Sequence, residues 1–430
     1  MRWKGMAAWY LAGVLAAGSV QAKTVEIADL RELAHYAGQS GHTVRMQPGV
    51  YRLDQLIPLE EIAQRRDHRQ WHFLEFRGSD NVFELTDVTI EVDTALRAAL
   101  RAPQHNPEFV VSGDNNLLRG LTITNRGDGA SRGGNVLSVH GDGNTLREVT
   151  LHVRGSSPYG YGDLFGKGGG AVIGHRKHSG LQITGDNTRL IGCRIEMRSF
   201  GHGIYLQGAT NTHLEDCHVQ GEMRATDAML AETSGPAYDV DFRSVYRNRE
   251  GHHRVLPGYK KSLAEDGFRT YSGSRGVTLV NCTAKHMRAG FELRGDTEVR
   301  IENCAAIANE RGFWVGDGAV IKNSRGDAKY GPLLFLEGQD ASVELQLMPA
   351  ESEWKVHALA TLHGAGHSVS FTPWKGLERS RPVPIKLGFA QPGAGEGMSP
   401  YAERPARRIQ LDNRTQMPLF VGDRADHAGR

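Results

Sequence analysis

Several classes of protein are excluded by features that this sequence lacks. Beyond residue 22, no stretch is apolar over the roughly 20 residues that a membrane-spanning helix needs, so the mature chain is not expected to cross a membrane. The 51 basic and 49 acidic residues nearly cancel and no Lys/Arg-rich tract occurs, which argues against a nucleic-acid binder. The four cysteines form no Cys-x-x-Cys pair, so no zinc site is predicted.

The first residues have the pattern of an export signal. Arg2 and Lys4 give a positive start, Met6–Ala17 is apolar, and Val20 and Ala22 place small residues where a signal peptidase reads them. A membrane anchor is the alternative, but the apolar run is shorter than a bilayer requires. We therefore predict cleavage after Ala22 and a periplasmic or secreted protein that begins at residue 23.

A repeat of about 22 residues determines the predicted fold. Its clearest copies read x-Gly-apolar-x-apolar-x-Gly and span Ser179–Gly185, His202–Gly208 and Ala289–Gly295, and looser copies begin at Asp266 and Arg311. Side chains alternate along a strand, so the two apolar positions face one way and the x positions face the other. A repeat of this length with two or three short strands is typical of one coil of a β-solenoid, and the 53 glycines, which follow no collagen period, suit its turns.

Two further features of the repeat each allow two interpretations. Gly, Asp and Asn recur in the turns, where positive φ angles explain them, although a run of acidic turns could also suggest calcium. Cys193, Cys217, Cys282 and Cys304 share one repeat position and would stack about 4.8 Å apart. We expect a ladder of buried thiols, with two disulfides as the alternative for an exported protein.

These repeats resemble those of the pectate lyase-like superfamily of right-handed parallel β-helix proteins. The entry to the fold strengthens the likeness: Ala28–Ser40 is an amphipathic segment, and Thr43–Leu53 looks like a common first coil of that superfamily. The resemblance implies an all-β, single-stranded right-handed parallel β-helix over residues 23–430, with an N-terminal helical cap. It implies no single activity, because the superfamily contains lyases, hydrolases, epimerases and non-catalytic proteins. The acidic calcium cluster of pectate lyases and the paired aspartates of polygalacturonases are both missing.

Alignment of the repeats places their outward side chains in columns on one face. The three columns contain Ser179, His202, Asp266, Ala289 and Arg311; Gln182, Tyr205, Arg269, Glu292 and Trp314; and Thr184, Gln207, Tyr271 and Arg294. Aromatic rings stack on sugars, while arginines and carboxylates bind hydroxyl groups or neutralise uronates. We therefore predict an exposed face that binds a polysaccharide, with a salt-bridged surface that binds no ligand as the alternative.

The repeat is interrupted beside this face. His202 and Asp266 are 64 positions apart, so about 40 extra residues, 224–265, should leave the solenoid and return to the same face. A shorter stretch, Tyr159–His178, contains the glycine run 168–170, which suggests a mobile edge. From about residue 341 the repeat fades, and we expect an irregular C-terminal end to the same domain.

The favoured chemistry is a cofactor-independent polysaccharide lyase that cleaves an acidic polysaccharide by β-elimination. Arginines would neutralise the uronate carboxylate, and Tyr271, His202 or Lys261 would take the C5 proton. Tyr271 and Lys261 would need a lowered pKa for that role, which a crowded basic groove can provide. The alternatives are a glycoside hydrolase using Asp266 and Glu292, an epimerase using nearly the lyase residues, and a non-catalytic polysaccharide-binding protein. The predicted catalytic residues are His202, Asp266, Arg269, Tyr271, Glu292 and Arg294. The predicted substrate-binding residues are Tyr205, Gln207, Asp227, Lys260, Lys261, Arg311, Trp314 and His175.

Overall fold

Almost all strands of the protein are parallel and stack coil upon coil, as a computed structural model shows. The structure describes residues 23–58, 61–62, 72–100, 106–130, 133–166, 171–245, 247, 251–294, 298–376, 381–390 and 403–426. The predicted signal peptide and the glycine run 168–170 lie outside these residues. Within the described ranges, no helix is both long and apolar enough to cross a membrane.

Three parallel sheets run along the molecule. The front sheet contains Leu74–Phe76, Pro107–Val111, Gly134–Val139, His178–Ile183, Ile204–Leu206, Asp266–Thr270, Ala289–Leu293, Phe313–Val315, Leu334–Leu336, Ala360–Leu362, Ile385–Leu387 and Leu419–Val421. The second sheet contains Lys23–Ile27, His42–Met46, Val82–Glu84, Leu117–Arg119, Thr145–Arg147, Arg189–Ile191, His213–Glu215, Val277–Val280, Val299–Glu302, Val320–Gly326, Ser342–Leu347, Ser368–Pro373 and Gln410–Asn413. The third sheet contains Gly49–Arg52, Val88–Asp93, Thr122–Arg126, Thr150–Val153, Arg194–Met197, His218–Gln220, Thr283–Lys285 and Ala305–Ile307, and it joins the second at Val320–Gly326. The predicted fold class, a parallel β-helix, is confirmed.

The apolar positions of the repeat form the core between the sheets. Phe268, Phe291 and Phe313 stack in consecutive coils, with ring centroids 4.9 and 4.8 Å apart. Burial of each such side chain contributes about 2–3 kcal/mol. The repeat requires glycine because its backbone approaches the core closely: a Cβ atom on Gly203 would lie 2.3 Å from Cγ1 of Val219, a core residue of the third sheet.

The cysteines form the predicted ladder. All four are free and buried, and the Cys282 N–H donates to the Cys304 Sγ at 3.3 Å. Burial raises the pKa of the Cys282 thiol well above its ordinary value. The turn residues Asn187, Asn211 and Asn281 have φ angles of 55°, 55° and 56°, the conformation on which the turn interpretation depends.

The predicted helix is present at the N-terminal end of the solenoid, whereas the C-terminal end differs from the irregular structure that the sequence predicted. The helix Leu30–Ala37 lies inside the predicted segment and covers the first coil with its buried Leu30, Leu33 and Ala37. The Asp29 side chain caps it by accepting the N–H groups of Arg31 and Glu32 at 2.8 and 2.9 Å. Short helices also follow two early strands, at Leu53–Leu56 and Thr94–Leu100. The C-terminal end is more regular than expected. The front sheet continues to Leu419–Val421, and the joined second and third sheets continue to Gln410–Asn413. A short parallel pair, Gly364–Ala365 with Ala406–Arg407, lies beside these last coils.

A separate apolar cluster covers the start of the front-sheet strands. The chain leaves the solenoid along Met223–Ala225 and returns along Lys260–Ser262, and these two strands pair antiparallel. The helices Thr226–Leu230 and Pro236–Asp239 lie between them. Their apolar side chains pack against the loop before His178, and the buried members are Tyr161, Leu164, Phe165, Met229, Ala237, Phe242, Val255, Tyr259 and Leu263. The two excursions therefore form one structural unit beside the candidate site.

Candidate active site

The outward column of the front sheet has the predicted register. Gln182 pairs with Tyr205, Tyr205 with Arg269, Arg269 with Glu292, and Glu292 with Trp314 on successive coils. The expectation of an exposed face is wrong for most of the column, since Tyr205 is 6% and Glu292 2% exposed. The side chains are large and cover one another: the Arg294 guanidinium lies 3.5 Å from the Trp314 ring centroid, and both Arg269 and Arg294 contact Glu292.

A buried ion cluster supports the start of this column, and sequence reasoning missed most of it. Arg288 donates to both carboxylate oxygens of Asp266 at 2.8 Å and to Glu265 at 3.1 Å. Its guanidinium is also 3.7 Å from Asp163, and Lys177 donates to Glu265 at 2.8 Å. We call Asp163, Lys177, Glu265, Asp266 and Arg288 the buried ion cluster. It combines residues from both excursions with residues of the solenoid.

The ion cluster keeps its carboxylates ionised. Burial alone would raise the pKa of Asp266, but the Arg288 guanidinium and His202 hold that pKa well below its usual range. Burial likewise opposes ionisation of Glu265, and Lys177, His202 and Arg288 lower its pKa below the ordinary value. Neither carboxyl group is therefore suited to carry a proton at neutral pH.

Three predicted catalytic residues form one hydrogen-bonded chain. The Tyr271 hydroxyl lies 2.8 Å from His202 Nε2, which is also 3.4 Å from Glu265 Oε2. His202 Nδ1 lies 3.3 Å from Asp266 Oδ2 and accepts the backbone N–H of Asp266 at 3.5 Å. An ionised carboxylate behind a histidine fixes the orientation of its ring and stabilises the imidazolium that forms when the ring takes a proton. Tyr271 is partly exposed and His202 is buried behind it, so the phenol is the end of the chain that a substrate can reach.

The pKa of Tyr271 differs from the sequence expectation. Burial and the Glu265 carboxylate raise the pKa of Tyr271 to about 12, so the predicted lowering of its pKa is wrong. The guanidinium of Arg269 opposes this effect from 4.7 Å above the Tyr271 ring. The phenol is therefore protonated at neutral pH and needs a proton acceptor, such as His202, before it can act as a base.

Two guanidinium groups on neighbouring coils share one carboxylate. Arg269 contacts Glu292, and Arg294 donates to Glu292 at 3.1 Å and to Glu337 at 3.3 Å. The side chain of Arg294 is 33% exposed and that of Arg269 is 15% exposed, whereas the side chain of Glu292 is 3% exposed. Positive charge thus lies at the accessible edge of the column, with its counter-ion beneath it.

The predicted substrate-binding residues occupy several environments. Lys261 and Arg311 are buried: Lys261 contacts Glu310, and Arg311 lies 3.8 Å from Glu292. Gln207 is exposed and accepts a hydrogen bond from Gln182 at 3.1 Å. Direct contact with substrate is therefore open to Gln207 but not to Lys261 or Arg311 in this structure, because neighbouring side chains enclose them.

The remaining predicted residues lie in or beside the excursions. Asp227 accepts the Gly258 N–H at 2.8 Å and so holds a turn of the insertion. Lys260 lies over the Trp354 ring at 4.8 Å. His175 contacts the Phe200 ring at 4.6 Å between centroids, and its burial lowers its pKa to about 4. The structure does not join Asp227 or His175 to the hydrogen-bonded chain of Tyr271.

The fold and the column together define a parallel β-helix protein with an ionised front face, and comparisons with known proteins agree on the architecture. A family model described as the right-handed beta helix region matches residues 135–344. The resemblance to pectate lyase-like β-helices is thus confirmed for the architecture. A search of curated proteins gives no significant match.

Several solved structures are similar to the chain at low sequence identity. An alginate lyase from Paenibacillus sp. is 10% identical with a TM-score of 0.39, covering 94% of this chain and 99% of that one. An endo-xylogalacturonan hydrolase from Aspergillus tubingensis is 9% identical with a TM-score of 0.36, covering 93% of each chain. A double mutant of a periplasmic alginate epimerase is 6% identical with a TM-score of 0.43, covering 93% of this chain and 81% of that one. At these identities the likeness concerns the fold alone.

Proposed function

We propose that this protein is an exported carbohydrate-active enzyme, a lyase that cleaves an acidic polysaccharide by β-elimination on the front sheet. The observation that carries the proposal is the chain from Tyr271 through His202 to Asp266, with the Arg269 guanidinium over the phenol ring. Proton abstraction beside a uronate carboxylate needs a base and a nearby positive charge, and this chain offers both at one place.

In the proposed reaction, the uronate carboxylate binds Arg269 and Arg294 in competition with Glu292. This neutralisation makes the C5 proton more acidic. His202 takes the phenolic proton of Tyr271, and the phenolate, stabilised by Arg269, removes the C5 proton. The C5 electron pair forms the C4–C5 double bond as the bond from C4 to the glycosidic oxygen breaks, and Tyr271 returns the C5 proton to that oxygen. His202 then gives its proton back to the phenolate when the products leave.

The carboxylates favour this reaction over hydrolysis. A glycosidase needs one carboxyl group that carries a proton and a second that is open to water or to the sugar. Asp266 is fully buried against Arg288 with a lowered pKa, and Glu292 is covered by two guanidinium groups. Both are better suited to orient and neutralise neighbouring groups than to transfer a proton or attack a sugar carbon.

The Tyr271→Phe variant tests the proposal. It removes the hydroxyl that would transfer the proton but keeps the ring beneath Arg269, so we expect the rate to fall about 10³-fold with little loss of stability. The assay follows the ultraviolet absorbance of the unsaturated sugar during digestion of a panel of uronate polysaccharides. Tyr238→Phe, at an exposed tyrosine of the insertion, is the matched control and should keep full activity.

Three outcomes would contradict the proposal. Release of reducing ends without ultraviolet absorbance would indicate hydrolysis. Exchange of the C5 proton with solvent deuterium without cleavage would indicate epimerisation. Near-normal elimination by Tyr271→Phe would mean that another group transfers the proton.

A further inference from the structure

We propose that a basic recess beside the proposed active site is a subsite for the carboxylate of a second uronate unit of the same polysaccharide. The lining of this basic recess includes Tyr259, Lys260, Tyr330, Phe335, Lys355 and His357. The inference rests on the proposed function, because it assumes that the front sheet binds an acidic polysaccharide.

The recess is held in a fixed shape where the insertion meets the solenoid. The Lys355 N–H donates to the Gly258 oxygen at 2.9 Å, and its ammonium donates to the Pro257 oxygen at 2.8 Å. Across the recess, the Tyr259 hydroxyl lies 2.9 Å from His357 Nε2. These bonds fix the returning strand of the insertion against the coil that contains Lys355, so a ligand would find the site already formed.

The charge of the recess is positive and largely uncompensated. Lys260 and Lys355 lie over the rings of Trp354 and Tyr259, at 4.8 and 5.4 Å. Among the residues that the structure describes, neither of these two lysines forms an ion pair with a carboxylate. Glu310, the carboxylate in the lining, already contacts Lys261 and the Ser262 N–H. Uncompensated ammonium groups in a concave site attract an anion.

Aromatic contacts connect the recess to the arginines of the active site. Phe335 lines the recess and follows Trp314 in the outward column, with ring centroids 5.9 Å apart. Arg294 stacks on the other side of this pair, over Trp314 at 3.5 Å. Trp314 and Phe335 are themselves buried, so they act as the packed floor between the two cationic positions. A sugar chain that lies along the column would place one carboxylate at Arg294 and a neighbouring unit near Lys260 and Lys355.

The test measures the affinity of two proteins for uronate oligosaccharides. One is the double variant Lys260→Ala/Lys355→Ala, and the other is a parent protein that keeps both lysines. Both proteins also carry Tyr271→Phe so that the ligand stays intact, and calorimetry measures the dissociation constant. We expect binding about tenfold weaker, with a smaller dependence on salt, because two charge-assisted contacts are lost. Lys322→Ala, at an exposed lysine of the second sheet, should leave the affinity unchanged.

The possible results separate the two proposals. Equal affinity of the double variant and its parent would overturn the subsite even if the protein makes unsaturated sugars. Weaker binding by the double variant, in a protein that makes no such product, would support the subsite and overturn the lyase proposal. Equal weakening with uncharged oligosaccharides would also overturn the subsite, since the effect would then not depend on the carboxylate.

Discussion

Replacement of Arg288 by methionine would reveal how much the buried ion cluster contributes to stability. The Arg288 side chain is 4% exposed and lies within 4 Å of four acidic residues, Asp163, Glu265, Asp266 and Glu292. Methionine keeps an unbranched apolar stem but removes the guanidinium. Lys177 would still contact Glu265, whereas Asp266 would keep only His202 at 3.3 Å and Arg269 at 4.0 Å.

The expected magnitude follows from the cost of leaving a buried charge without its partner. Breaking a buried ion pair on one side costs about 3–5 kcal/mol, and we expect Arg288→Met to lower the apparent free energy of unfolding by that amount at pH 7. The pKa of folded Asp266 is below its unfolded value of about 3.9, so its pairing stabilises the protein above about pH 4 and is lost as pH falls through the folded pKa. The difference between variant and parent should therefore shrink in acid.

Urea denaturation followed by circular dichroism at pH 7 and below pH 4 measures both quantities. Arg300→Met, at an exposed arginine of the second sheet, is the control and should change stability by less than about 0.5 kcal/mol. Adding Asp266→Asn to Arg288→Met should recover part of the loss, because the unpaired charge disappears. A loss below about 1 kcal/mol at pH 7, or one that is equal in acid, would refute the reasoning.

Two other predictions concern buried titratable groups. Burial holds the pKa of His175 at about 4, below the 6.5 of an unfolded histidine, so folding resists protonation of this ring. Stability should therefore fall by about 2 kcal/mol as pH drops from 6.5 to 4, and His175→Gln should remove that part of the pH dependence, as measured by urea midpoints; an unchanged profile would contradict it. The four cysteines are buried, and burial raises the pKa of Cys282, so none should react with a thiol reagent at pH 8 until urea unfolds the chain. Rapid labelling of the native protein would disprove the ladder.

The sequence predicted the coils well because the repeat has internal markers. The first glycine of each copy marks a position where a Cβ atom would clash with the next coil or with a core side chain, as at Gly203. Each cysteine marks the corner between the second and third sheets. Counting from these markers was sufficient to place Tyr205, Arg269 and Glu292 in one column with the observed register.

The buried ion cluster was harder to predict because it depends on how the chain enters each strand. Glu265 precedes the aligned motif by one residue, and Arg288 occupies the equivalent position on the next coil. The backbone N–H of Arg288 donates to the backbone carbonyl oxygen of Glu265 at 2.8 Å. Opposite charges at one position of consecutive copies were a signal that the sequence contained. Asp163 and Lys177 lie in a loop outside the repeat, so no alignment of copies could place them.

The insertion ends directly before the carboxylates of the buried ion cluster. His202 and Asp266 are neighbours in space although the insertion separates them in the chain. The Gly203 N–H, next to His202, donates to the backbone carbonyl oxygen of Asp266 at 2.8 Å. The returning strand Lys260–Ser262 leads directly into Glu265 and Asp266, so the insertion's own packing fixes where these carboxylates enter the front sheet. Because Asp266 is fixed both by Arg288 and by this strand, it can orient His202 without being able to take its proton. The long excursion therefore supports the geometry of the Tyr271–His202–Asp266 chain from behind, because its returning strand delivers Glu265 to Lys177 and Asp266 to Arg288.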